Sequence, residues 1–250
     1  MNRCLAVVVV LILLLWAVTG AVADTITIDG DDSDWIDPDS ETNDPNGDVN
    51  DGGDPPVFLP EYDIDWTYYS WDASDGTANF MSTTIDPISD AYGADLVEII
   101  INADDDETTG SPNYHDAVGA DYYLTWSLDG TKGTAYDYGS LNAADWYQWV
   151  GDQSTGFFGE ITSLNASDIV IAYGDEGTDY SVIEASINPS LFGSPDAFTW
   201  GMYLDNGTTA SDDASPADYS QRGYTPEPTT LVLLPLGLAA LGVWRRRRDA

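Results

Sequence analysis

The chain has 250 residues, with 44 acids against seven lysines and arginines and a formal net charge of −37. Between Asp24 and Glu227 the imbalance sharpens: 43 acids face only Lys132 and Arg222, which leaves that span at −41. Such a surface repels nucleic acid and anionic lipid, and it excludes nucleic acid as a partner. The single cysteine, Cys4, sits in the N-terminal apolar run, so disulfides, thiolate metal sites and cysteine catalysis drop out of the rest of the chain.

Met1 to Ala23 has a short basic start at Arg3, an apolar run from Leu5 to Val18, and Ala21-Val22-Ala23 at its end. That order predicts a secretory signal peptide cut before Asp24 by signal peptidase. Cys4 lies at the wrong end of the apolar run to be a lipidation site.

Residues 24–210 predict an all-β body. Aromatic and β-branched runs alternate with Asp, Gly, Asn and Ser turns, without a long helical period. The predicted strands are Thr25–Asp29, Ile64–Trp71, Asn79–Thr84, Leu96–Asn102, Tyr122–Ser127, Gly133–Tyr138, Trp146–Val150, Ile169–Tyr173, Ser181–Ile187 and Phe198–Leu204. Asp75-Gly76 and Asp129-Gly130 mark hairpin turns, and Asn188 to Phe192 reads as one helical turn. Many short strands at even spacing imply a single β-sandwich, jelly-roll-like. About 200 residues are enough to bury one core.

Asp37 to Pro60 reads as a long acidic loop. Asp44, Asn46, Asp48 and Asn50 occupy alternate positions there, a spacing that lets side-chain oxygens converge on calcium. The glycine, Gly47, is at position four of the loop rather than six, and Pro55 stands where an EF-hand loop has its closing glutamate, so this is not an EF-hand. A second set lies beyond the strand Leu96–Asn102: Asp104, Asp105 and Asp106, with Asp121 returning to the same sheet end. Clustered carboxylates repel one another unless a cation or solvent relieves them. Asp104, Asp106 and Asp121 are therefore candidate ligands of a structural calcium, the alternative being a solvated turn.

The body has seven tryptophans, at positions 35, 66, 71, 126, 146, 149 and 200. Aromatic faces with nearby amides and carboxylates are what sugar binding needs. In "DWYQWVGDQ", Asp145 to Gln153, strand alternation puts Trp146 and Gln148 on one face and Tyr147 and Trp149 on the other. One pair is expected inside and the other as a platform, so Trp146, Tyr147 and Trp149, with Trp71, are the candidate ligand-binding residues. The alternative is core and ordinary surface aromatics.

Three pieces carry a resemblance. "ITIDGDDSDW" (Ile26 to Trp35), the Asp-rich turn with Thr109-Gly110 and Gly119-Ala120-Asp121-Tyr122, and "SVIEASINPSLFG" (Ser181 to Gly193) are similar to the family 9 carbohydrate-binding module and DOMON-like β-sandwiches. The resemblance implies an extracellular binding sandwich, often calcium-stabilised. Some members bind sugars and others haem.

Enzyme signals are thin. There is no Gly-x-Ser-x-Gly elbow, no phosphate-binding Gly-Lys loop and no His-Glu-x-x-His. His115, the only histidine, sits in a polar stretch without a nominated nucleophile. A glycosidase needs only two carboxylates, and among 43 none stands out.

Ser211 to Thr225 is polar and reads as a linker. Then come Pro226-Glu227-Pro228, an apolar segment from Thr229 to Trp244, and Arg245, Arg246, Arg247 and Arg248. The apolar segment falls short of the roughly 20 residues of a comfortable span, and Pro235 interrupts it. It reads as a transient transmembrane stop with the arginines on the cytoplasmic side. This order resembles the PEP-CTERM sorting signal of bacterial exported proteins. The resemblance implies transient insertion in the inner membrane, processing by an exosortase near the motif, and delivery to the cell surface or matrix. The expectation is a non-enzymatic, calcium-stabilised module that binds or organises extracellular polysaccharide. A matrix or surface-layer component without specific ligand, and a polysaccharide-processing glycoside hydrolase, are the alternatives.

Overall fold

A computed structural model of the chain describes residues 25–43, 63–72, 74–88, 96–114, 118–128, 134–137, 144–162, 164–205, 211–212 and 221–224. All belong to one compact unit, Asp24–Thr225. The signal peptide, the sorting signal, Asp44, Asn46, Asp48, His115 and the Asp129-Gly130 turn lie outside the described residues. Among the described residues, no helix is long and apolar enough to cross a membrane.

The strands are β1 (Ser40–Asn43), β2 (Ile64–Asp72), β3 (Thr77–Thr84), β4 (Leu96–Asn102), β5 (Tyr122–Ser127), β6 (Tyr136–Asp137), β7 (Asp145–Val150), β8 (Phe157–Glu160), β9 (Ile169–Glu176), β10 (Tyr180–Ile187), β11 (Ala197–Asp205), β12 (Ser211–Asp212) and β13 (Gln221–Tyr224). They form two antiparallel sheets. The first has the order β1-β2-β3-β10-β9-β6; the second has β12-β11-β4-β5-β7-β8, with β13 also paired to β11. The expected β-sandwich is present.

Period-2 alternation sorts the side chains. Val97, Ile99 and Ile101 of β4, Leu124 and Trp126 of β5, and Phe198, Trp200 and Met202 of β11 face inward. They meet Tyr69, Phe80, Ile171, Ile183 and Ala185 of the first sheet in one core. Phe80 stands edge-on to Trp200 at 4.9 Å, and Tyr69 edge-on to Phe198 at 5.5 Å. These large aromatics bridge the two sheets.

Both outer faces carry a second, smaller apolar layer. On the first sheet, Trp35, Met81 and Val182 pack together with Ile26, Tyr68 and Tyr180. On the second, Ile100, Ala120 and Tyr203 pack with Tyr114, Tyr123 and Phe158. Chain segments outside the strands supply the covers: Ile26 and Trp35 come from residues 25–35, and Tyr114 and Ala120 from residues 103–114 and 118–121.

Several boundaries differ from the sequence reading. Thr25–Asp29 is not a strand; it runs without ladder pairing as part of the cover on the first sheet. β1 lies inside the stretch read as an acidic loop and pairs Ser40 with Tyr69 through Asn43 with Trp66. The stretch read as a linker contributes β12 and β13, which pair with opposite ends of β11. Polar edge strands of two to four residues carry too little apolar alternation to register in a sequence. The Asp75-Gly76 turn joins β2 to β3 as expected, with Gly76 at φ 70°. The helical turn is a 3-10 turn, Pro189–Phe192, capped by the Asn188 side chain.

Candidate functional site

The aromatic-rich strands β5, β7 and β8 lie at one edge of the second sheet. The register pairs Tyr123 with Tyr147 and Trp149 with Phe158. On the outer face this makes a row of rings. Tyr114 stacks on Tyr123 at 4.6 Å, and Tyr123 stacks on Tyr147 at 4.5 Å with 14° between planes. Phe158 stands edge-on to Tyr114, Tyr123 and Trp149 at 4.8, 4.8 and 5.1 Å. Tyr123, Tyr147, Trp149 and Phe158 are all partly exposed. Burial among these rings pushes the Tyr123 hydroxyl up to about 12. The hydroxyl of Tyr114 donates to Glu98, whose buried carboxylate oxygens lie 3.2 and 3.1 Å away.

The β7–β8 hairpin shapes the edge. Asp152 Oδ1 accepts from the backbone and hydroxyls of Ser154 and Thr155 at 2.6 to 3.0 Å, which holds its carboxyl down at about 2. Gly156 lies against the Trp149 indole so closely that a Cβ there would overlap the ring. Phe157 and Val150 pair on the opposite face of the hairpin and are 63% and 49% exposed.

Of the sequence candidates, Tyr147 and Trp149 are brought together on this face. Trp146 is not part of any surface: it has no accessible area and lies in the core, stacked on Tyr122 at 5.6 Å. Trp71, on β2, packs against the same core from the other sheet and is remote in the topology from β7. Tyr123, Phe158 and Tyr114 belong to the row although the sequence did not single them out. Cross-strand register, which adjacent sequence does not carry, finds Tyr123 and Phe158; Tyr114 joins them from the segment that covers the sheet.

Beside this row, at the end of β4, a cleft of about 300 Å³ opens between strand ends and the β10–β11 connection. It is lined by Ala103, Asp104, Asp121, Tyr122, Gln148, Trp149, Phe192, Gly193 and Pro195. Gln148 Nε2 donates to the Tyr122 hydroxyl at 3.0 Å. Asp121 Oδ2 accepts from the backbone of Ala103 at 2.9 Å. Burial, aided by the nearby charges of Asp104 and Asp106, raises the Asp121 carboxyl to about 6.

The Asp-rich turn is organised by its own donors. The Thr109 hydroxyl lies 3.0 and 2.9 Å from the two oxygens of Asp104. Asp106 Oδ1 accepts from the backbone and hydroxyl of Thr108 at 2.9 and 2.7 Å. Gln153 Nε2 donates to the carbonyls of Glu107 and Thr109, tying the turn to the β7–β8 hairpin. Asp104, Asp106 and Asp121 lie near enough for their charges to act on one another, but they are not a group whose oxygens all fall within 4.8 Å. Among the described residues, the acids whose oxygens lie within 4.8 Å of one another are Asp31, Asp32 and Glu176, on the other sheet. Asp32 also accepts from the Tyr180 hydroxyl at 2.7 Å.

Fold and site together define an antiparallel β-sandwich with a partly exposed aromatic row and an acidic cleft at one edge. No protein-family model matches the chain, and a search of curated proteins finds no match.

Proposed function

We propose that this protein is an exported, surface-sorted, non-enzymatic module that binds or organises extracellular polysaccharide. The observation that carries the binding part is the outer row of β5, β7 and β8, where Tyr147 and Trp149 share one partly exposed face with Tyr123 and Phe158. Sugar rings have apolar faces that stack on aromatics, and a row of rings at one sheet edge presents several such contacts in register. Export and sorting rest on Met1–Ala23 and on the Pro226-Glu227-Pro228, apolar and arginine elements of the tail. The likeness to family 9 carbohydrate-binding modules supports the same reading.

Calcium stabilisation belongs to the proposal, and among the described residues Asp31, Asp32 and Glu176 fit a hard cation best. Their oxygens converge, and oxygen is what calcium takes. If these acids serve only to crosslink polyanions through calcium, the protein is instead a matrix component without specific ligand. One observation favours a hydrolase as a further reading: Asp121, raised to about 6, shares its cleft with Asp104. Glycoside hydrolysis needs a carboxylic acid that keeps its proton and a second carboxylate near it.

The test is retention of the full chain, kept soluble in a detergent without a sugar headgroup, on a panel of insoluble and gel-embedded polysaccharides with calcium present. Retention on one or two glycans, lost in Tyr147→Ala and Trp149→Ala, supports the reading. Equal retention on every acidic polymer favours the matrix component. Release of new reducing ends, lost in Asp121→Asn, favours the hydrolase.

A further inference from the structure

The cleft beside the aromatic row combines two kinds of wall. Asp104 and Asp121 bring carboxylates, and the Asp106 charge adds to the local negative field. Tyr122, Trp149 and Pro195 are partly exposed and bring apolar surface, and Gln148 brings an amide fixed on the Tyr122 hydroxyl at 3.0 Å. The cavity measures about 300 Å³, about ten times the share of one water in the liquid. A bare calcium ion would neither fill that volume nor gain anything from apolar walls. An anionic sugar would be repelled twice, by the two carboxylates and by a body at −41. What both walls accept is a carbon ring that carries positive charge. The charge relieves the repulsion among Asp104, Asp106 and Asp121, and the ring covers the aromatic and proline surface.

We infer that the cleft is a subsite for a hexosamine unit with a free amino group, so that the polysaccharide this protein prefers is an amine-bearing, partly de-N-acetylated glycan. The inference rests on the polysaccharide reading above and specifies its substrate class. The ammonium group pairs with Asp104 and Asp121, the ring lies against Tyr122 and Pro195, and the chain runs on from the cleft toward Trp149 and the aromatic row. Trp149 lines the cleft and also touches Phe158 in that row, so one residue joins the two surfaces.

The experiment is calorimetric titration of the full chain, in the same detergent, with glucosamine and its oligomers, N-acetylglucosamine oligomers, glucose oligomers and galacturonic acid oligomers. The expected result is a preference of about tenfold for the amine-bearing sugars over their N-acetylated counterparts. Added salt should weaken it, and both Asp104→Asn and Asp121→Asn should abolish it. Each asparagine keeps the oxygen that accepts from Thr109 or Ala103, and an unchanged melting temperature confirms that the turn survives; Asp104, which is exposed, covers the case in which the Asp121 variant fails to fold. Equal binding of N-acetylated or glucose oligomers, or a preference that salt does not weaken, overturns the inference and leaves polysaccharide binding standing. The same holds if no oligomer binds while the chain is still retained on a polysaccharide. Absence of retention on every polysaccharide removes both readings.

Discussion

The indole of Trp35 donates to Glu184 at 2.6 Å, across 149 residues of chain. The other carboxylate oxygen accepts from the backbone of Gly30 at 2.6 Å and of Asp29 at 2.9 Å. One buried side chain on the outer face of the first sheet therefore holds the segment that covers it. Trp35→Phe keeps an aromatic ring and removes the donor, leaving one oxygen of Glu184 buried without that partner. A loss of about 1–3 kcal/mol is expected, read from denaturant unfolding. A loss below the scatter of the measurement would show that the cover adds nothing to global stability.

The same carboxyl gives a pH signature. Burial outweighs the three donors and raises Glu184 from 4.5 to about 7. Between those values the folded protein retains a proton that the unfolded chain has released. The contribution is full below pH 4.5 and fades as pH rises through about 7. Glu184→Gln should flatten that part of the stability profile relative to the parent. Identical slopes in the two proteins would refute the assignment.

Gly30 has φ 81°, and a Cβ there would lie 2.5 Å from the carbonyl carbon of Tyr173. The left-handed backbone alone costs an L-residue about 1–2 kcal/mol, and the backbone of β9 has no room to give. Gly30→Ala should detach the cover, raising solvent quenching of Trp35 fluorescence and lowering the melting temperature. Gly177→Ala, at φ 65° but with open space around it, should cost only the conformational part.

Trp146 and Tyr147 are adjacent and opposite in role. Trp146→Ala empties a core position and should cost about 3–5 kcal/mol. Tyr147→Ala removes one ring of a partly exposed stack and should cost about 1 kcal/mol while weakening glycan retention. Melting curves and retention on the same polysaccharide separate the two effects. If Tyr147→Ala destabilises as much as Trp146→Ala, the row is structural.

Calcium binding at Asp31, Asp32 and Glu176 predicts a melting temperature that falls on chelation. At a free concentration one hundredfold above Kd the ion would add about 2.7 kcal/mol. Asp32→Asn should remove most of the chelation effect, whereas Asp106→Asn should leave it intact.

The β class and most central strands are legible in the amino-acid order, because long alternating runs such as Leu96–Asn102 and Ser181–Ile187 bury one face by necessity. So is the placing of Trp146 and Tyr147 on opposite faces, since successive side chains in a strand diverge. Which of them is inside is not legible there: only the partner sheet makes one face an interior. The same holds for the acids. Spacing along the chain groups Asp104 with Asp106, yet their turn occupies them with its own hydroxyl and backbone donors. Asp31, Asp32 and Glu176 converge because the N-terminal cover lies over the sheet that ends β9 at Glu176. The aromatic row and the cleft depend on register between β5, β7 and β8 and on the approach of the Phe192 turn. Those are long-range pairings, fixed by packing free energy that no local run of residues carries.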